Sequence, residues 1–251
     1  EEMKTNKSNL KIIAEIGSNW NGSIRIGKKI IKQLKNVGTD AVKFQMWRAT
    51  DLYNSDHPNW NEIKKSEMTF RQAKEFKKYS DQIGIDCFWS VFYPEAVNCL
   101  EKLGVKYYKV ASRTSALLDK NSEETMVAVA KTKKPVIISM GFGGNRMKIN
   151  KIFKNNKKFW LYCISKYPTD IKEIDFKLMQ RHDGFSDHTE DSVAPILYAL
   201  KSKHQKKIKF LEKHVSITES SGPDKPFSME IGDFAVLIKN IRSVPDLKIK
   251  I

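Results

Sequence analysis

Eight short apolar runs alternate with helix-like stretches along almost the whole chain, and this alternation limits the fold more than any other feature. The strand-like runs fall at 11–15, 40–45, 85–90, 106–111, 135–139, 159–164, 183–186 and 207–213. Helical stretches follow them at 23–36, 69–83, 94–104, 122–132, 145–156, 173–181, 190–202 and 230–242. Ser23 suits an N-cap, Pro94 a first helical turn, and Gly38 a stop. A long polar stretch over 47–66 reads as a functional loop. Regular alternation of this kind predicts a parallel sheet with crossover helices. Eight units in about 240 residues predict closure into a single α/β domain, a (β/α)8 TIM barrel spanning 11–251, with 1–10 as a disordered lead. A doubly wound open sheet would carry a glycine-rich first turn. Gly17-x-x-x-x-Gly22 is not G-x-G-x-x-G and lacks the P-loop lysine.

The net charge is +16. The lysines are spread along the whole chain and no nucleic-acid motif is present, so the charge reads as a solvated surface that favours anionic substrates, not nucleic acid. Cys87, Cys99 and Cys163 lack C-x-x-C spacing, which suits a reducing, cytoplasmic setting. No run of ~18 apolar residues is present, so no membrane partner is expected.

Barrel strands alternate between interior and helix layer. If His214 points inward, so do Glu212, Phe210 and Ile208. The same count pairs Glu15 with Ile13, Gln45 and Lys43 with Ala41, Lys109 with Tyr107, Ser139 with Ile137, and His188 with Ser186. Apolar residues lie low in each strand and polar ones near its C-terminal end, the rim where active sites of this fold sit. Charge in a core costs several kcal/mol unless paired or ligating, so convergence at one rim predicts a site. Two ammonium groups, Lys43 and Lys109, with hydroxyls of Ser112, Ser139 and Ser186, suit a phosphate or carboxylate. His188 and His214 end adjacent strands, ~4.8 Å apart in a sheet. Two imidazoles with open positions suit catalytic Mn²⁺, Zn²⁺ or Fe²⁺. His57, His182 and His204 lie in polar loops or a helix end and receive no role.

Six motifs occur in order: Ile13-Ala14-Glu15-Ile16-Gly17 with Asn21-Gly22; Ala41-Val42-Lys43-Phe44-Gln45; Tyr108-Lys109-Val110-Ala111-Ser112; Ser186-Asp187-His188-Thr189; Glu212-Lys213-His214; and Gly222-Pro223-Asp224. Together they resemble the N-acetylneuraminate (sialic acid) synthase family over about residues 11–242. The resemblance implies condensation of phosphoenolpyruvate with an N-acylated mannosamine-type sugar, giving a nonulosonic acid and phosphate. Synthases of legionaminic or pseudaminic type, other phosphoenolpyruvate–aldose condensing enzymes, and a degenerate sugar-binding barrel without turnover are the alternatives. By motif, Glu15 corresponds to the catalytic carboxylate, and His188 and His214 to ligands of Mn²⁺ or Mg²⁺. Lys43, Lys109, Ser112, Ser139 and Ser186 correspond to phosphoenolpyruvate contacts. Ser165 stands where the family commonly has asparagine, and Gln45, Tyr167 and Asp224 fall where sugar contacts are expected.

Three departures bear on sugar choice. Asn19-Trp20-Asn21-Gly22 replaces Asn-His-Asn-Gly, and Ser90-Val91-Phe92-Tyr93 replaces Ser-Thr-Pro-Phe, removing a hydroxyl expected near phosphate. The segment 215–221 is also atypical. The resemblance covers the catalytic barrel only. The family's C-terminal antifreeze-like domain, which caps the partner subunit's barrel, has no counterpart before Ile251, so a separate lid chain, a shortened chain or a different substrate is expected, and the resemblance itself implies a homodimer.

Overall fold

The computed structural model describes residues 9–202 and 209–243. Eight parallel strands close on themselves: β1 (Leu10–Glu15), β2 (Ala41–Met46), β3 (Asp86–Val91), β4 (Tyr108–Val110), β5 (Val136–Ser139), β6 (Lys158–Tyr162), β7 (Gly184–Asp187) and β8 (Lys209–Ser216). Each pairs with its neighbours in chain order, and β8 pairs back onto β1, with Glu15 opposite His214. The expected (β/α)8 barrel is therefore what the chain forms. A two-residue strand β9 (Met229–Glu230) pairs with the far end of β8.

Local chemistry sets the helices between them. Ser23 caps the helix Ile24–Asn36 by accepting from the Ile26 N–H. Thr69 and Gln72 form a reciprocal capping box on Phe70–Ile83, and Gly84 ends that helix in the left-handed region. Pro94 stands at the first turn of Pro94–Glu101. The helices bury an apolar stripe against the sheet. Phe76 stacks on Phe44 with ring centroids 4.6 Å apart, and Trp20 meets Phe76 edge-on. Burial of each such ring stabilises the layer by roughly 2–3 kcal/mol.

The barrel interior holds a second, smaller core. Ile13, Ala41, Phe88, Ile137 and Leu161 are buried there, with Tyr107, Phe159 and Phe210 packed against them. Ile13, Ala41, Tyr107, Ile137 and Phe210 are low positions that alternation assigns to the interior, and Phe88, Phe159 and Leu161 join them. They form a plug beneath the C-terminal rim.

Several boundaries differ from expectation. The stretch 47–66 is not an open loop: it contains helices Ala49–Leu52 and Trp60–Lys65. Trp47, Ala49, Ile63 and Phe92 bury a small core of their own, which folds the stretch down. The helix expected at 145–156 ends at Ile152. That at 173–181 breaks into a 3-10 turn, Ile171–Glu173, and a short helix, Phe176–Met179. Of the lead expected at 1–10, Leu10 already belongs to β1 and is buried, while residues 1–8 lie outside the described residues. Ile208 and His204 lie outside them as well. Among the described residues no helix is long and apolar enough to cross a membrane.

Candidate active site

A cavity of about 330 Å³ opens at the C-terminal rim. Glu15, Lys43, Gln45, Lys109, Ser112, Ser139, Tyr167, Ser186, His188, His214 and Asp224 all line it. Ser165 is adjacent: its buried hydroxyl lies beside the backbone of Gly141, among Ser112 and Cys163. The period of two along each strand accounts for the convergence, since Glu15, Lys43, Ser139 and Glu212 each stand two residues above a plug residue. A cavity of about 270 Å³ opens at the opposite mouth, is lined by Tyr107, Phe159 and Phe210, and contains none of the expected residues.

The base of the rim cavity is a charge network. The Lys43 ammonium pairs with Glu15, donates to Ser90 Oγ at 2.9 Å and lies 3.3 Å from Glu212. Lys109 lies 3.4 Å from Glu212, and Ser186 donates to the same carboxylate at 2.9 Å. Glu15 accepts from the Gly17 N–H at 2.7 Å. All four charged side chains are at most 3% exposed. Burial raises the Glu15 carboxyl above its ordinary value, with Glu212 adding to the rise against the pull of Lys43. Glu212 moves the other way: burial works against its charge, but Lys109 and Lys43 hold it well below the usual carboxylate range. Burial lowers Lys109, whereas on Lys43 burial is outweighed by Glu15 and Glu212, and its value rises. Two carboxyls with opposed acidities side by side can divide proton-holding from charge-balancing roles.

One wall is an arc of hydroxyls. Ser112 Oγ accepts from the Gly141 N–H at 3.1 Å and touches Cys163 Sγ at 3.0 Å. The hydroxyls of Ser139 and Ser165 are buried without a hydrogen-bond partner. Unsatisfied buried donors cost free energy, and hydroxyls left unpaired beside a cavity can donate to acceptor oxygens.

The other wall holds the histidines, with ring centroids 5.8 Å apart. His188 Nδ1 lies 2.6 Å from the Ile164 carbonyl, which requires the N–H on that nitrogen and leaves a lone pair on Nε2. His214 Nδ1 is buried with no partner. Burial pushes His188 down to about 3 and His214 down to about 4, so both imidazoles are neutral at ordinary pH. His188 Nε2 lies 3.4 Å from Ser186 Oγ, whose proton goes to Glu212, so its lone pair stays available, and with the orphaned His214 Nδ1 the pair fits a divalent metal. Among the described residues no group of three or more His, Cys, Asp or Glu is placed to hold one.

The rim is aromatic. Tyr167 is half exposed, with its ring 4.2 Å from that of His188 and 4.7 Å from that of Phe227. Gln45 accepts from the Trp47 indole N–H at 3.1 Å. Asp224 accepts from the Ser18 N–H at 2.7 Å and donates its own N–H to Ser18 Oγ at 3.0 Å.

Two sequence departures lie away from this chemistry. Trp20 is fully buried against the helix layer. Val91 belongs to the same outer core, while its neighbours Ser90 and Phe92 line the cavity, so Ser90 supplies a hydroxyl to Lys43. Glu212 is inward by the count, though no motif gives it a role, and Ser90 lies on the inward face of β3 by the same alternation. Arg113, fixed by Asp119 at 2.6–3.0 Å, and Tyr53 come from turns and short helices that carry no period to read.

The comparisons with known proteins agree with this geometry. The chain is 32% identical over 260 residues to pseudaminic acid synthase of Campylobacter jejuni, covering 92% of this chain and 72% of that protein. It is 28% identical to human N-acetylneuraminate-9-phosphate synthase, covering 93% and 69%. In fold it is similar to a sialic acid synthetase from Leptospira borgpetersenii in complex with citrate, with a TM-score of 0.80, 23% identity, and coverage of 94% of this chain and 83% of that one. A model of the NeuB family matches residues 30–248, and with it the rim that carries the lysines and histidines: the chain belongs to the NeuB family.

Proposed function

We propose that the chain condenses phosphoenolpyruvate with the open-chain aldehyde of an N-acylated mannosamine-type sugar, releasing phosphate and forming a nine-carbon 2-keto acid. The observation that carries this reading is the meeting, in one cavity, of two buried lysines, an unsatisfied hydroxyl arc and two neutral imidazoles. Lys43 and Lys109, with Ser112, Ser139, Ser165 and Ser186, hold the phosphate and carboxylate of phosphoenolpyruvate. His188 and His214 would hold a divalent ion, Mn²⁺ or Mg²⁺, which when bound polarises the aldehyde oxygen. Gln45, Tyr167 and Asp224 orient the sugar.

The enol carbon attacks the aldehyde carbon, and the aldehyde oxygen takes up a proton from solvent water. Water then adds at C2 of the former enol, phosphate leaves with its bridging oxygen, and the 2-keto group forms. Glu15, whose carboxylate burial makes more basic than usual, takes the proton of that water. Lys43 contacts the Glu15 side chain and holds it in place.

Phosphate release from phosphoenolpyruvate with Mn²⁺ and a panel of mono- and di-N-acylated hexosamines tests the reading. Release with one class of sugar is expected, and the preferred member separates a sialic-type from a pseudaminic- or legionaminic-type acceptor. No release with any sugar, from protein that still binds Mn²⁺, would favour a sugar-binding barrel without turnover.

A further inference from the structure

Directly behind the two histidines lies an ion pair that the reaction does not use. Asp187 and Lys213 are register partners on β7 and β8, 1% and 2% exposed. Alternation turns them away from the cavity that Ser186, His188, Glu212 and His214 line. They face the helix layer, where Phe185, Leu211 and Val215 belong to the apolar core. The Lys213 ammonium donates to Asp187 Oδ2 at 2.5 Å and to the Thr189 carbonyl at 2.7 Å. Thr189 donates its backbone N–H at 3.1 Å and its hydroxyl at 2.9 Å to Asp187 Oδ1. These contacts close the chain around His188 and tie it to the residue before His214.

The fold alone has no need of charge at this place. Replacing a buried ion pair by apolar side chains of similar volume is often neutral or stabilising. What the pair supplies is placement. Lys213 cannot slide along β8 without leaving both Asp187 and Thr189, so the two strand ends keep one relation. From the other side the Ile164 carbonyl takes the Nδ1–H of His188, and the Thr169 N–H donates to the His188 carbonyl. We propose that Asp187 and Lys213 are positioning residues that set the two imidazoles for a shared divalent ion, an inference that rests on the metal reading above.

The test is an electron-paramagnetic-resonance titration with Mn²⁺ alone, without substrates, run beside thermal unfolding. It compares wild type, Asp187→Asn, the double variant Asp187→Leu/Lys213→Met, and His214→Ala as the site control. The double variant is expected to keep its thermal midpoint near that of wild type and to bind Mn²⁺ about 10–100-fold more weakly. Asp187→Asn, which keeps an acceptor for Thr189, falls between. A purely structural pair would move the midpoint and leave the affinity alone. Folded variants that bind Mn²⁺ as tightly as wild type overturn the positioning role and leave the metal reading standing. Wild type with no uptake sensitive to His214→Ala overturns the metal reading, and this role with it. Failure of both pair variants to fold makes the pair structural and overturns the role.

Discussion

Lys109, from β4, and Glu212, from β8, meet across the full width of the barrel, Nζ to Oε1 at 3.4 Å. Three strands lie between them whichever way the sheet is followed. Beneath this contact the interior is filled by Ile13, Ala41, Phe88, Ile137 and Leu161. Above that plug the inward side chains are polar or charged, and Glu212 stands between two ammonium groups. The floor of the cavity is thus a balanced set of charges, ready to exchange a protein carboxylate's attraction for that of an anionic substrate.

Glu212→Gln removes the charge both lysines share. Breaking a buried pair from one side costs roughly 3–5 kcal/mol, so the urea midpoint should fall clearly at neutral pH. The sign of the pH dependence follows from Glu212 itself. Its folded value lies below its ordinary 4.5, so the stability it contributes is present above that pH and is lost as pH falls below it. The gap between wild type and variant should therefore shrink progressively in acid. A gap independent of pH from 7 to 3 would show that Glu212 is not the charged partner.

His188→Ala takes away a ring nitrogen left free by the Ile164 contact. Turnover measured by phosphate release should fall by more than ~100-fold, as a lost ligand costs at least what a lost supporting partner does. Mn²⁺ binding should fall with it. Full activity in this variant would sink the assignment of His188 to the metal.

Much of this site is legible in the strands because their period is two. Placing His214 inward places Glu212 and Phe210 inward too, and the same step along β1 and β2 selects Glu15 and Lys43. The reading weakens where no period exists. Arg113 and Tyr53 reach the cavity from short helices of four residues each or their ends, which give no repeat to count. The helices within 47–66 hide for the same reason, since they are held by Trp47, Ile63 and Phe92 across space and not by a repeating pattern. Trp20 misleads differently. Its place in a motif suggests a role in binding, yet its size and shape send the indole into the helix layer.

Gly17→Ala should unsettle the sugar side of the rim. Gly17 has φ +52°, and a Cβ there would lie 2.0 Å from Asp224 Oδ2, the oxygen that accepts from Ser18. Left-handed strain and the clash together should cost about 2–4 kcal/mol. Chemical denaturation measures that loss. Because Asp224 must move, the KM for sugar should also rise while that for phosphoenolpyruvate changes less. Equal changes in both would place Asp224 outside the sugar contacts.

Gly141→Ala probes the hydroxyl arc with a single methyl group. An added Cβ would lie 2.3 Å from Ser165 Oγ, 2.7 Å from Cys163 Sγ and 3.0 Å from Ser112 Oγ. The two hydroxyls sit on side chains that can rotate, so the fold should survive with a small change in thermal midpoint. Rotation turns their donors away from the cavity, however, and the methyl occupies the space an anionic oxygen would fill. Losing one or two hydrogen bonds to a charged group costs about 1.5–3 kcal/mol each, so the Kd for phosphoenolpyruvate should rise at least ~10-fold. Calorimetric titration of phosphoenolpyruvate into the metal-loaded protein reads this directly, and Mn²⁺ affinity, set on the opposite wall, should hold. Unchanged phosphoenolpyruvate binding in a folded Gly141→Ala protein would move the anion site off this arc and onto the lysines alone.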